Sequence, residues 1–294
     1  MDTFEGYHPV VNFAYFLMVL LITMFSMHPL FLTMTFLVSF LYSFMLEGGK
    51  AIKRNFCFLI PIVLLAVLLN PLFTQRGQTI LFYLNDAAVT MEAVAFGAAA
   101  AIMFTSMIIW FSCFSCVMNT DKFIYLFGRI IPSVGLVLSM CFRFIPLLKR
   151  RFREISQGQK YLGRNFTGQK LFRRVRQLGK EISILIAWSL EAGIETSDSM
   201  EARGYGLKGR SSYSIFRFDR RDAFMLTSIA VLSGIIIYGC FQKVNSILYY
   251  PRIVFREVTA LSAVVYIAYG ILLLLPIYIE LQGEIKWRHL YSKM

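Results

Sequence analysis

Charged residues are scarce in this sequence: they make up 16% of its 294 residues, where about 25% is usual in soluble proteins. Apolar residues make up 57%, and a soluble domain of this length has too little interior to bury so many of them. The composition therefore excludes an ordinary cytosolic enzyme, a disordered protein and a disulfide-rich secreted domain. It predicts an integral membrane protein.

Metal ligands and phosphate-binding motifs are also missing. Cys113 and Cys116 form a single CxxC, with no second pair and no neighbouring histidine to complete a metal site. The three histidines, His8, His28 and His289, lie far apart. No glycine-rich loop ending in Gly-Lys-Ser/Thr occurs. We therefore expect no metal, no cofactor and no catalytic residue, and expect that any nucleotide is bound by another protein.

Six hydrophobic runs are long enough, or nearly so, to cross a bilayer, which takes about 20 mostly apolar residues. They cover residues 11–27, 29–46, 55–73, 91–117, 223–241 and 258–281. Thr90 is expected to cap the fourth helix, with Glu92 at the favourable end of its dipole. The ionisable residues of these runs lie at their ends, as Glu92 does, whereas an ion-coupled transporter usually needs such groups within its spans.

The positive charge of the chain is concentrated in its middle third. Residues 118–221 hold 20 Lys and Arg against 8 Asp and Glu, while the whole chain has a net charge of +13. Basic residues favour the cytoplasmic side of short loops, and Lys50, Lys53 and Arg54 are expected in such a loop after the second run. We therefore predict a cytoplasmic N-terminus, middle region and C-terminus, and three domains: 1–118 with four spans, 119–221 with basic helices, and 222–294 with two spans.

Two stretches of the basic region alternate apolar and basic residues at helical spacing. The apolar positions of the first are Phe142, Ile145, Leu148, Phe152 and Ile155, and those of the second are Leu171, Val175, Leu178, Ile182 and Leu185. Glycines separate the two stretches. The pattern predicts two basic amphipathic helices, which either lie on anionic lipid or dock a soluble partner.

A third helical stretch, residues 184–201, is rich in small residues and carries four acidic ones. It ends in Ala202-Arg203-Gly204-Tyr205-Gly206. Gly204 or Gly206 suits the left-handed position that closes a helix. Arg203 would then project a fork of donors suited to a carboxylate, although a helix-end arginine can equally cap the carbonyls of its own helix.

Three separated stretches resemble one family, the transmembrane T component of energy-coupling factor (ECF) transporters, or EcfT/CbiQ family. They are Asn70-Pro71-Leu72-Phe73 with Gly77, residues 79–83 and 90–93; Ser139-Met140 with Arg143-Phe144-Ile145-Pro146-Leu147; and Met200-Glu201-Ala202-Arg203-Gly204-Tyr205-Gly206. Each motif is weak alone, but their order and spacing make the resemblance specific. It covers roughly residues 8–282.

The resemblance implies a T subunit of an ABC-type importer that catalyses nothing itself. Such a protein transmits ATP-driven motion from two cytoplasmic ABC ATPases to a small membrane-embedded substrate-binding S component. The implied fold is an all-α integral membrane protein of the cell membrane, with about six transmembrane helices and a cytoplasmic coupling region of three amphipathic helices at about 122–206. Vitamins and transition-metal ions both remain open as substrates.

The family's two Ala-Arg-Gly motifs contact the ATPases. By resemblance, Ala202, Arg203 and Gly204 form the second motif. At the first, Tyr161 and Leu162 stand where Ala and Arg are expected, before Gly163. Arg164 either replaces the missing guanidinium, or the first ATPase contact is apolar.

Two other functions are weighed against this one. A basic membrane-surface scaffold would need no nucleotide and would leave Arg203 incidental. An integral-membrane enzyme acting on lipid head groups would need clustered His, Asp or Glu at one membrane face, which the sequence does not suggest. Nucleic acid is not expected as a partner, because the basic faces adjoin apolar faces suited to the lipid bilayer.

Overall fold

The computed structural model of the chain describes residues 4–74, 77–84, 87–163, 171–207, 216–242, 244–245, 247–254 and 259–291. Within them the chain divides into two units by its internal contacts. The first unit comprises Met1–Asn119 and Phe216–Met294, and the second comprises Thr120–Ile215.

Nine α-helices and one two-stranded antiparallel sheet follow a short 3-10 helix in the described residues. In chain order they are α1 (Pro9–Phe25), α2 (Pro29–Glu47), α3 (Gly49–Phe73), β1 (Ile80–Leu84), β2 (Ala87–Thr90), α4 (Met91–Val117), α5 (Thr120–Ile130), α6 (Pro132–Tyr161), α7 (Leu171–Ala202), α8 (Arg220–Phe241) and α9 (Ala260–Tyr291). Five of them, α2, α3, α4, α8 and α9, are long and apolar enough to cross a membrane, and α1 is a shorter apolar helix. The predicted all-α membrane fold is confirmed.

Local sequence explains where several helices begin. Pro9 and Pro29 occupy first helical positions, where the missing N–H costs nothing and the fixed φ suits a helix. As predicted, Thr90 caps α4, since its side-chain oxygen accepts a hydrogen bond from the backbone N–H of Ala93 at 3.4 Å. Asp219 and Asp222 form a reciprocal capping box at the start of α8.

An aromatic cluster around the fully buried Trp110 of α4 forms the centre of the first unit. The rings of Tyr15 and Phe16 of α1 lie with their centroids 6.1 Å from the indole ring, and that of Tyr42 of α2 lies 5.9 Å away. Such pairs contribute about 0.5–1.5 kcal/mol each beyond the area that they bury. The cluster therefore fixes α1 and α2 against α4.

The helix α3 is mostly exposed on the outside of the first unit, because only 6% of the residues in its most apolar stretch are buried. It approaches α4 closely at one point, where a Cβ added to Gly97 would lie 2.8 Å from the backbone oxygen of Ala66. Nearby, the side-chain amide of Asn70 donates a hydrogen bond to the carbonyl of Ala93 at 2.6 Å. Glycine at position 97 is thus what lets α3 and α4 pack.

The second unit consists of α5, α6 and α7. Gly128 and Gly135 bring α5 against α6, because a Cβ added to Gly135 would lie 2.3 Å from the Cα of Gly128. The helix α6 begins at Pro132 and continues through Pro146 to Tyr161. It packs on α7, and the two helices form the α6–α7 hairpin.

The structure corrects several predicted boundaries. The second and third predicted amphipathic stretches form one continuous helix, α7, because neither glycine nor proline ends the pattern between them. The separate helix α5 was not predicted. The helix α3 begins at Gly49 and includes Lys50, Lys53 and Arg54, which were expected in a loop. The sheet β1–β2 was also missed.

Candidate functional site

The α6–α7 hairpin is antiparallel, as its cross-helix contacts show. Gln177 donates a side-chain hydrogen bond to Gln159 at 3.3 Å, and the guanidinium of Arg151 lies 4.9 Å from the centre of the Trp188 ring. Further along, the first half of α6 lines a cleft with the last turns of α7. The C-terminal ends of α6 and α7 therefore point in opposite directions.

The end of α7 is closed by a complete Schellman motif. Gly204 is left-handed, with φ +80°. Its N–H donates to the carbonyl of Glu201 at 2.9 Å, and the N–H of Tyr205 donates to the carbonyl of Met200 at 3.0 Å. These are the two bonds that define this helix end. Of the two glycines predicted for this position, Gly204 is the one that closes the helix, and it places Arg203 at the C-cap position.

The side chains of Ala202 and Arg203 at the end of α7 are exposed, as are those of the neighbouring Glu201 and Tyr205. The turn is compact, because a Cβ on Gly204 would lie 3.0 Å from the side chain of Leu207. Within the described residues, no ion pair or hydrogen bond engages the guanidinium of Arg203. The arginine is thus held on a fixed backbone with its donors unused.

The end of α6 shares the left-handed glycine and one of the two hydrogen bonds of the Schellman motif. Gly163 is left-handed, with φ +75°, and its N–H donates to the carbonyl of Lys160 at 3.1 Å. Leu162 occupies the position that Arg203 holds at the end of α7, and it is 70% exposed, while Tyr161 is 89% exposed. Arg164 lies outside the described residues.

The two helix ends are far apart. Arg203 lines the same cleft as Leu136 near the start of α6, and about 25 residues of helix, or roughly 40 Å, separate that level from Leu162. A single compact partner domain could contact one end without reaching the other.

Charge is segregated along the α6–α7 hairpin. Basic side chains crowd the half near the end of α6: Lys149, Arg150, Arg151, Arg153, Lys160, Arg174, Arg176 and Lys180. Hydrogen bonds from Arg151 at 2.8 Å and from Arg150 at 3.2 Å lower the pKa of Glu154 in this half. The half near Arg203 instead carries the acidic residues Glu191, Glu195, Asp198 and Glu201. The two ends therefore offer different electrostatic surroundings to a partner.

A polar cleft of about 530 Å³ lies between α6 and α7 beside the end of α7. Arg143 of α6 and Arg203 line it together with Glu195. Both arginines were predicted to lie in motifs that resemble the family, but the sequence did not predict that they line one cleft. The family motif around Arg143 was the only indication in the sequence that this residue belongs to the site. The shared cleft itself depends on how the two helices pair, which is a tertiary property.

The first group of motif residues forms a polar cluster in the first unit. Glu92 accepts hydrogen bonds from the hydroxyl of Thr79 at 2.6 Å and from its backbone N–H at 3.2 Å. A Cβ on Gly77 would lie 2.5 Å from the Thr90 hydroxyl and 2.6 Å from the Glu92 carboxylate. The cluster ties the residues just before β1 to the beginning of α4, which gives these motif residues a structural role.

Six apolar helices and a long basic hairpin define a polytopic membrane protein, and within the described residues no group of His, Cys, Asp or Glu could hold a metal ion. Residues 7–213 match the family CbiQ, described as cobalt transport protein. The chain belongs to this family, as a T component of ECF transporters. It is thus a membrane component of a transporter.

Curated relatives carry the description "energy-coupling factor transporter transmembrane protein EcfT". The one from Listeria innocua is 28% identical over 188 residues, which cover 60% of this chain and 71% of that protein. The one from Lacticaseibacillus paracasei is 26% identical over 219 residues, or 69% of this chain and 83% of the relative. The one from Lactobacillus helveticus is 30% identical over 108 residues, only 36% of this chain and 39% of the relative.

Proposed function

We propose that this chain couples two cytoplasmic ABC ATPase subunits to a membrane-embedded substrate-binding S component. In this proposal the N-terminus, the second unit and the C-terminus lie in the cytoplasm of a cell whose plasma membrane holds the first unit. Ala202, Arg203 and Gly204 dock one ATPase. Leu162, Gly163 and Arg164 dock the other.

The observation that carries the proposal is the closed end of α7. The Schellman motif fixes the backbone on both sides of Arg203, so little backbone entropy is lost when its guanidinium binds a partner. A guanidinium pairs best with a carboxylate, through two parallel hydrogen bonds. The ATPase groove is thus expected to present an acidic side chain to Arg203.

The end of α6 supports a second, chemically different contact. Leu162 and Tyr161 expose apolar surface on a helix end that also has a left-handed glycine. Lys160, Arg174 and Arg176 lie near this end, so an apolar groove with an acidic rim would fit it. If Arg164 also contributes, it would add a guanidinium one position after the glycine.

The ligand that is transported is expected to be recognised by the S component. The family is described as cobalt transport protein, and vitamins or transition-metal ions are the substrate classes proposed for this transporter. The apolar surface of the first unit, such as the exposed side of α3, offers contact area to such a membrane partner.

Affinity purification of the tagged full chain from its native membrane tests the proposal. Wild-type chain should retain two ATPase subunits and one small hydrophobic protein, identified by mass spectrometry. Arg203→Glu should insert normally but lose stable ATPase binding, because it puts like charge against the expected acidic group.

Arg153→Glu is the matched control, since Arg153 is an exposed arginine of α6 away from both helix ends. It should retain the ATPases. Normal retention by Arg203→Glu would contradict the docking role. A chain recovered alone, and bound to anionic liposomes, would instead favour the membrane-surface scaffold.

A further inference from the structure

Arg143 and Arg203 line opposite walls of the cleft between α6 and α7, which encloses about 530 Å³. The remaining polar lining comes from Glu195 and from the hydroxyl groups of Ser139, Thr196 and Ser199. The family motif of α7 thus meets the motif at the beginning of α6 in one cavity.

Neither guanidinium has an ion-pair or hydrogen-bond partner within the residues that the structure describes, and the same is true of the Glu195 carboxylate. Two cations face one anion across the cleft, which leaves one positive charge uncompensated. The hydroxyl groups of Ser139 and Ser199 add donors, whereas that of Thr196 already donates to the carbonyl of Ala192 at 2.7 Å. An acidic group entering the cleft would find charge-assisted donors on two sides.

The surroundings favour a protein carboxylate over a lipid phosphate. The last turns of α7 carry the acidic residues Glu191, Glu195, Asp198 and Glu201. This row would repel the continuous negative charge of an anionic membrane surface. A protein loop with a single acidic side chain would reach the arginines without bringing further negative charge to the row.

We propose that Arg143 is a second docking residue, and that Arg143 and Arg203 together bind one carboxylate of the ATPase that contacts the end of α7. The inference rests on the proposed function, since it assigns the ATPase as the partner. It adds a contact from α6 to an end formed by α7, so that this ATPase holds both helices of the hairpin.

The test measures the affinity of the purified ATPase subunits for the full chain in nanodiscs of neutral lipid. The variants are Arg143→Ala, Arg203→Ala and the double variant, with Arg153→Ala as the control. Each single variant should weaken binding at least about tenfold, as expected when one partner of a desolvated charge pair is removed. The double variant should weaken it by less than the product of the two single effects, because the arginines share one carboxylate.

Several outcomes would overturn the inference. If Arg143→Ala binds the ATPase subunits with the same affinity as Arg153→Ala, while Arg203→Ala binds them more weakly, Arg143 is not part of the docking site. The proposed function is then unaffected. Multiplicative single effects would mean separate partner groups. An effect of Arg143→Ala confined to nanodiscs containing phosphatidylglycerol would identify lipid as the occupant.

Two controls keep these outcomes distinct. If neither Arg203→Ala nor the double variant weakens ATPase binding, the proposed function itself fails. Arg143→Lys keeps the charge but not the planar fork, so it should bind with intermediate affinity. Hydrogen exchange of the α6 amides reports whether each variant keeps the hairpin folded.

Discussion

Replacing Gly204 with alanine tests the link between backbone conformation and docking. Gly204 has φ +80°, and a residue with a Cβ in this region costs roughly 1–2 kcal/mol relative to glycine. The added Cβ would also lie 3.0 Å from the Leu207 side chain. A cost of this size reduces the ratio of closed to open helix ends by roughly 5- to 30-fold.

Hydrogen exchange followed by mass spectrometry measures this change. The amides of Gly204 and Tyr205 donate the two bonds of the motif, so both should exchange faster in Gly204→Ala. The ATPase affinity should fall by up to the same factor, because only the closed end presents Arg203 correctly. The ATPase affinity of Gly204→Asn should fall less than that of Gly204→Ala, since asparagine adopts the left-handed conformation more readily.

Gly193→Ala is the matched control in the same helix. Gly193 lies within α7, and nothing lies within 4 Å of a Cβ built there. Alanine should therefore stabilise α7 by up to about 1 kcal/mol and leave docking unchanged. Equal exchange rates in Gly204→Ala and the wild type would refute the reasoning, as would a docking loss in Gly193→Ala of the same size.

Three further measurements concern the first unit. Thr79→Val removes a hydroxyl that donates to Glu92 at 2.6 Å, and should lower the free energy of unfolding by about 1.5–3 kcal/mol, measured by thermal unfolding in detergent. Gly97→Ala should cost about 1–3 kcal/mol, because its Cβ would lie 2.8 Å from the Ala66 carbonyl oxygen; unchanged melting would contradict the close packing. Burial lowers the pKa of His28 below 6.5, so the folded state binds fewer protons than the unfolded state. The contribution of neutral His28 to the free energy of unfolding should be complete above about pH 6.5 and should fall as the pH drops below that value. His28→Phe should remove this contribution to the acid sensitivity.

Hydropathy was sufficient to find the apolar helices, because a bilayer requires long continuous runs that no other structure needs. It failed where helices carry charge. Lys50, Lys53 and Arg54 were expected in a loop, yet they form the first turns of α3, since basic residues are compatible with helix. The strands β1 and β2 were missed because they are short and lie between two strong helical signals.

The candidate site was predictable only in part. Gly204 was identified from the chemistry of helix ends, which is local. Gly163 is left-handed at the end of α6, as Gly204 is at the end of α7. Leu162 therefore has a place equivalent to that of Arg203, which the motif alignment suggested but could not establish. The cleft shared by Arg143 and Arg203 depends on how α6 and α7 pair, and no local pattern encodes that.

The second unit buries few residues, and this has a consequence for the turnover of the protein in the cell. Within the described part of the second unit, only Lys122, Gly135 and Glu181 are buried, while many large apolar side chains are exposed. A structure with so little interior opens easily and shows proteases and chaperones the features that they recognise. Copies that find no partners should therefore be degraded first, so that the amount of this subunit follows the supply of the rest of its complex.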